Sequence, residues 1–503
     1  MSRGSWRLAR LVGIPWTVSG ILLAAILIGL DSSAPASASV ASLPTLDATQ
    51  QDTEIALCRF GVGATDNISS YDIAPLRMGW YVNWAASAAP PRPNGIRYVP
   101  TIRLTEVGTS PPYTYSPSGA QLQTVIANNP GAVWFIGNEP DRPGPWQDDC
   151  HPHVYAQAYH ELYYLIKAAD PTAQVFAGGI VQATEIRLQY LDLVLSSYKS
   201  LYGESLPTDG WSIHGFVLNE VDCDYDPLNC WGAEIPAGVS ADFGEILTID
   251  DNDDFDLFKE RIERFRQWMA DSEYRGLPVY LSEYGINMPP DYGFPPTRVN
   301  AFMTQTFDYL LTATDPELGD PTDDYHLVQR WAWWSLSVTY NTNGWLFDPT
   351  TYARTSHGDQ WVTYTSQLSA TIDLYPVRLF AEPPAPFSQG ENVTFTLKAL
   401  VASSGNISST QPITVRFYDG DPGSGGVQIG ADHVISPLLG CGDHRYVQVE
   451  WSNVPTGTHA VYVSVDPTAA IAESNELNNV IGQTILVATH RAFLPHAINR
   501  ASD

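Results

Sequence analysis

Positive charge is what this 503-residue chain has least of: 26 Lys and Arg stand against 55 Asp and Glu, a formal net charge of −29. That balance argues against nucleic acids and anionic membrane surfaces as partners, because phosphate contacts need clustered cations. Cysteine is scarce too, with five in all: Cys58, Cys150, Cys223, Cys230 and Cys441. Nothing in their spacing fits a zinc site, and no metal is expected. No glycine-rich phosphate loop follows the first strand-like run, which counts against a doubly wound nucleotide-binding sheet. Beyond the N-terminus, no apolar run is long enough to cross a bilayer.

The N-terminus itself carries Arg3, Arg7 and Arg10, an apolar run over residues 11–30, and then Ala36-Ser37-Ala38. A basic start, a hydrophobic middle and a small-x-small site read as a secretory signal over residues 1–38, with an uncleaved anchor as the alternative. Residues 39–54 read as a linker. The protein is therefore expected outside the cell, where disulfides are permitted. Cys223 and Cys230 bracket a short loop and are expected to pair. Cys58 and Cys150 would form a second bridge and leave Cys441 odd.

From residue 55 onward, short apolar runs alternate with helix-period segments. Strand-like runs fall at residues 56–62, 77–84, 97–104, 133–139, 174–180, 211–216, 278–284 and 329–336. Between them, Leu122, Val125 and Ile126 share a helical face, as do Phe255, Phe258, Ile262, Phe265 and Met269. Eight βα units argue for an α/β fold, a (β/α)8 TIM barrel over residues 55–370. Active residues of that fold sit at the carboxyl ends of the strands. Glu139 closes the fourth run and Glu283 the seventh. Two strands that each deliver one glutamate are what a retaining glycosidase needs: an acid to protonate the leaving oxygen, and a carboxylate roughly 5 Å away to attack the anomeric carbon.

The residues around both glutamates carry a resemblance. Asn138-Glu139-Pro140 and Ser282-Glu283-Tyr284-Gly285 resemble the signatures of the clan A glycoside hydrolases. The resemblance implies Glu139 as general acid/base, Glu283 as nucleophile and Asn138 on the sugar 2-hydroxyl. It places His214, in Trp211-Ser212-Ile213-His214-Gly215-Phe216, in the pocket wall, and Trp334 under the reacting sugar, with Trp331 and Trp333 leaving that alignment uncertain by a residue. Many members carry a tyrosine where this chain has Phe216, so the role of orienting the nucleophile is vacant or passes to another residue such as Tyr284. The run Met78-Gly79-Trp80-Tyr81-Val82-Asn83-Trp84 makes family 128, whose members cleave β-1,3-glucan, the most similar, with family 39-like and family 5-like enzymes as rivals. Trp80 is then expected at the substrate.

The chemistry sets further expectations. Glu139 should stay protonated, through burial among aromatics such as Trp134 or Trp146, while Glu283 stays ionised with donors around it, Arg103 among the candidates. Asp222, Asp224 and Asp226 alternate but lack the glycine and terminal glutamate of a calcium loop, and read as a solvated insertion. The acidic run at 250–254 reads as a helix N-terminus, and His151 and His153 as solvated rim residues. No cofactor is implied.

After a proline-rich break at residues 380–386, apolar residues alternate with period two: Val393, Phe395 and Leu397, then Val461, Val463 and Val465. This texture predicts an all-β Ig-like sandwich over residues 374–488. The turn Glu473-Ser474-Asn475-Glu476-Leu477-Asn478-Asn479 resembles the CARDB module of bacterial surface and secreted proteins. Residues 489–503 read as a tail. The expected activity is a secreted, retaining glycoside hydrolase on β-linked polysaccharide. The alternatives are a transglycosylase using the same residues and a non-catalytic carbohydrate-binding or adhesion protein on a retired barrel.

Overall fold

The computed structural model describes residues 55–229, 231–338, 343–383 and 393–487. The expected leader and linker, the tail from 489 and Cys230 lie outside the described residues.

Every apolar run read from the sequence becomes a strand. With β5, which no run anticipated, the strands in chain order are β1 (Leu57–Gly63), β2 (Met78–Val82), β3 (Arg97–Val99), β4 (Thr101–Glu106), β5 (Tyr113–Ser116), β6 (Val133–Ile136), β7 (Gln174–Ile180), β8 (Gly210–His214), β9 (Val279–Tyr284) and β10 (Arg330–Trp333). They join one curled, parallel-rich sheet in the order β3-β2-β1-β10-β9-β8-β7-β6-β4-β5, in which only β5 runs antiparallel to its neighbour. The sheet has to curl because β3, at one end of this order, and β4, next to the other end, are separated in the chain by Pro100 alone; β1 lies between β2 and the last strand β10, with Phe60 opposite Trp331. The third run differs from expectation. Pro100 has no N–H to give a ladder, so the run breaks there into β3, which pairs with β2, and β4, which pairs with β6.

Six α-helices occur among the described residues: α1 (Gly119–Asn128), α2 (Pro152–Ala169), α3 (Glu185–Tyr202), α4 (Phe255–Asp271), α5 (Pro296–Thr312) and α6 (Ser356–Thr365). Eight βα units were expected, but the segments after the first two strands form only three-residue 3₁₀ turns. Each of those turns holds proline or serine and is too short to pay the cost of a helix nucleus. The acidic run at 250–254 does start a helix: Asp254 accepts the N–H groups of Asp256 and Leu257 at the head of α4.

Two apolar layers hold the sheet. On its outer side, Phe258, Ile262, Phe265 and Met269 turn one face of α4 against Trp211 and Leu281. On the concave side, Trp80, Phe135, Phe176 and Tyr280 fill the curl. Glycines make room for these rings: a Cβ at Gly61 would sit 2.3 Å from Trp80, and one at Gly210 2.4 Å from Phe176.

The C-terminal strands are all antiparallel: β11 (Leu374–Glu382), β12 (Val393–Ser403), β13 (Ile413–Asp419), β14 (Val427–Ile435), β15 (Asp443–Val454), β16 (Gly457–Val465) and β17 (Val480–Val487). They form a sheet of order β11-β12-β15 and another of order β14-β13-β16-β17, with Phe395, Leu397, Val415, Phe417, Val461 and Val463 between them. No helix among the described residues is long and apolar enough to cross a membrane.

The joint corrects the expected cysteine pairing. Cys58 bonds Cys441, with Cα atoms 6.1 Å apart, and Cys150 is a buried thiol directed at the Asp148 carbonyl. Cys58 and Cys150 never meet because they serve opposite ends of the curled sheet. Around the bridge, Arg59 pairs with Asp323 at 2.6 Å and donates to the Ser404 carbonyl. Arg330 spans from Cys58 O to Gly440 O. The β-sheets therefore dock where β1 and β10 begin, away from the carboxyl ends. Replacing Cys58 and Cys441 by Ser is expected to cost about 2–4 kcal/mol of stability. Urea denaturation with and without reductant checks this: the midpoint of the wild type should fall on reduction, and that of the variant should fall distinctly less.

Candidate active site

The backbone after β6 turns sharply to present Glu139. Gly137 and Glu139 both adopt positive φ, 84° and 45°, and the Glu139 N–H is fixed on Gly179 O at 2.8 Å. A left-handed backbone at a non-glycine residue is strain kept for a purpose, here the aiming of a carboxylate into the mouth of the curl. Asn138 is buried beside it, its N–H donated to Asp148 Oδ2. Glu283 arrives on β9 by a register shift. Val279 and Leu281 belong to the outer layer and Tyr280 to the inner, so strict alternation would send Glu283 outward. The pairing of β9 with β8 slips between Ile213 and His214, and Glu283 turns inward to face His214.

Three side chains converge. His214 Nδ1 lies 3.1 Å from Glu139 Oε1 and 3.8 Å from Glu283 Oε2. One oxygen of each glutamate and a ring nitrogen of His214 all fall within 4.8 Å of one another. Two further groups complete the site. Arg142 Nη1 holds Glu139 Oε2 at 3.0 Å while its Nη2 donates to Gly232 O at 2.7 Å. Trp84 Nε1 donates to Glu283 Oε2 at 3.1 Å. The spacing of the two glutamates and the histidine would admit a metal ion. The Arg142 guanidinium already places a positive charge on Glu139, which disfavours a second cation there.

Electrostatics reverse the expected charge order. Burial alone would raise the Glu139 carboxyl, but the Arg142 charge and the His214 hydrogen bond outweigh it and hold it well below the usual range. Burial, helped by the Glu139 charge, pushes Glu283 up to about 7 against the pull of His214, Arg142 and the Trp84 N–H. Burial lowers the His214 ring, yet the charges of Glu283 and Glu139 leave it raised. The shared proton of the pair thus rests on Glu283. Glu139 was expected to be protonated among Trp134 or Trp146. Trp134 instead packs in the outer layer and Trp146 is 79% exposed; the neighbours of Glu139 are cationic.

Several other expected site residues lie elsewhere. Trp80 is buried in the concave core with Nε1 on Arg59 O, beneath the site rather than at its surface. Arg103 pairs with Asp148 at 2.6 Å and donates to Trp146 O, a rim clamp and no neighbour of Glu283. Tyr284 faces the outer layer, its ring against Phe258 and Trp333, and cannot orient Glu283. Trp334 does reach the site, edge-on to Trp84 with centroids 4.9 Å apart. Phe216 is buried with Val181, Leu218 and Trp334. His151 sits on the rim against Glu106. Asp222 and Asp226 accept backbone N–H groups of their own loop; Cys223 beside them has its expected partner outside the described residues. Trp84 and Arg142 were missed. Trp84 ends the second run as the glutamates end theirs, and Arg142 stands three residues after Glu139, so both positions carried a signal.

Residues 372–483 match the CARDB family model. Among solved structures, a family 128 (subgroup II) endo-β-1,3-glucanase from Pseudomonas viridiflava is similar at 15% identity, over 61% of this chain and 97% of that one, with a TM-score of 0.38. A family 39 glycoside hydrolase from Bacteroides cellulosilyticus is similar at 12% identity over 78% of this chain and 80% of that one, with a TM-score of 0.36. The CARDB domain of a Pyrococcus furiosus protein is similar at 21% identity over 24% of this chain and 97% of its own, with a TM-score of 0.20. No curated protein matches the chain. Both resemblances drawn from the sequence recur in these matches. Likeness this distant assigns neither substrate nor residue roles.

Proposed function

We propose that this protein is a secreted, retaining glycoside hydrolase acting on β-linked polysaccharide, with β-1,3-glucan the first candidate, Glu139 the acid/base and Glu283 the nucleophile. We read the curled sheet as a (β/α)8 barrel whose third strand is broken at Pro100, filling residues 55–370, with the CARDB-like sandwich over 374–488 as an accessory. The observation that carries the reading is that an oxygen of Glu139 and an oxygen of Glu283 lie within 4.8 Å of each other. An inverting enzyme needs a gap of roughly 6.5–9.5 Å to seat a water between its carboxyls.

In the first step Glu283 attacks the anomeric carbon as Glu139 gives its proton to the departing glycosidic oxygen. In the second, ionised Glu139 takes a proton from water, which displaces Glu283 and restores the configuration. Turnover needs one proton on the pair, carried by Glu139, whereas at rest it sits on Glu283. Because the one-proton pair is the active form, kcat/KM should fall as pH rises through about 7, where Glu283 loses its proton and the pair its last acid. A profile that fell instead on acidification through neutrality would contradict this arrangement.

The clasp of Arg142 on Glu139 also favours a second reading, a carbohydrate-binding protein that keeps the barrel without turnover. Reducing-end release from β-1,3-glucan, mixed-linkage glucan, mannan and xylan separates the two. New reducing ends from one polymer support the hydrolase, longer transfer products point to a transglycosylase, and tight binding with no products supports the second reading.

A further inference from the structure

We propose that Trp84 is the positioning residue of the nucleophile: its indole N–H fixes Glu283 Oε2 and leaves the other carboxylate oxygen free for attack. The inference rests on the glycosidase reading above and deepens it.

Trp84 is built for this contact from three sides. Its N–H lies 3.1 Å from Glu283 Oε2, a bond between residues 199 apart in sequence. Its backbone takes φ +52°, which L side chains rarely adopt and which turns the ring off β2 and across the mouth. Gly63, the last residue of β1, leaves the socket open: a Cβ there would lie 2.6 Å from the Trp84 ring and 3.3 Å from that of Trp334. Trp334 meets the ring edge-on, with planes at 67°, an arrangement aromatic pairs favour. The two residues nearest in sequence to a tyrosine role supply no donor: Phe216 has no hydroxyl, and Tyr284 turns to the outer layer. A charge-assisted bond to the carboxylate favours its ionised, attacking form.

Trp84→Phe keeps an aromatic ring and removes the donor. It should lower kcat roughly 10- to 100-fold, the worth of a hydrogen bond to a charged group, with KM little changed. Losing a donor to the ionised form raises Glu283, so the alkaline limb of kcat/KM should also move to higher pH. A merely structural tryptophan would leave that limb in place. If Trp84→Phe fails to fold, benzothienylalanine at position 84, which keeps the shape of the indole and lacks only its N–H, gives the same readouts. Wild-type kcat and pH profile in the variant that folds, beside an inactive Glu283→Gln, would overturn the positioning role and leave the glycosidase reading intact. Full activity in Glu283→Gln would instead overturn the glycosidase reading itself.

Discussion

Glu283→Gln should lower turnover on an active glycan by about 10,000-fold or more, since removing a covalent nucleophile strips a whole catalytic unit of its function. The amide keeps the shape and the Trp84 contact, so the fold and substrate binding should survive. Glu139→Gln should cost somewhat less, roughly 100- to 10,000-fold, the usual share of general acid–base catalysis. The two losses are told apart by the leaving group. An aryl glycoside with an acidic phenol departs without a proton, so Glu139→Gln should be nearly normal in its first step and stall as the glycosyl-enzyme, whereas Glu283→Gln stays inactive with any leaving group. Azide should rescue a Glu283→Ala variant to a product of inverted anomeric configuration and a Glu139→Ala variant to a retained one. The opposite pair of anomers would exchange the assigned roles and equal anomers from both would void them, and this matters because the resting proton lies on Glu283.

Arg187→Met should be the most destabilising single substitution near the site, by about 3–5 kcal/mol. Arg187 is wholly buried between Asp141, at 3.2 Å, and Glu220, at 3.0 Å. It also donates to the carbonyls of Asp141, Ala233 and Glu234. Methionine fills the space and leaves two carboxylates without their counter-charge, and such a pair broken on one side costs more than the intact pair ever contributed. Glu220 keeps the donors Gln182 and Thr184, at 2.8 and 2.7 Å. Asp141 fares worse, for burial already pushes it up to about 6 in spite of Arg187. A folded value raised above the unfolded one of about 3.9 gives stability at low pH that is lost as pH rises through the folded value. Without Arg187 that value climbs further, so the gap between variant and wild type should be widest above pH 6 and narrow below it. Urea midpoints at pH 5 and pH 8 measure this, and a gap independent of pH would rule out Asp141 as its source. Asp141 stands two residues from Glu139, so activity should decline along with stability.

What the sequence determined about this protein is local. The apolar runs of β6 and β9, the glutamates at their ends, the single apolar face of α4 and the alternation of β12 and β16 depend on neighbours within a few residues, and period alone reveals them. The Glu-rich turn before β17 was legible for the same reason, and with it the CARDB resemblance. Tertiary structure decided the rest, because those outcomes depend on residues far apart in the chain. Cys58 and Cys441 are separated by 383 positions, a distance over which a rule of nearby loops has no force. Pro100 splits a strand that composition alone reads as one. The slip between β8 and β9 puts Glu283 inside and Tyr284 outside, and one residue of register reverses every face. The charge order of the pair follows from where the guanidinium of Arg142 and the indole of Trp84 come to rest, since Coulomb and hydrogen-bond energies depend on distance in space and not in sequence.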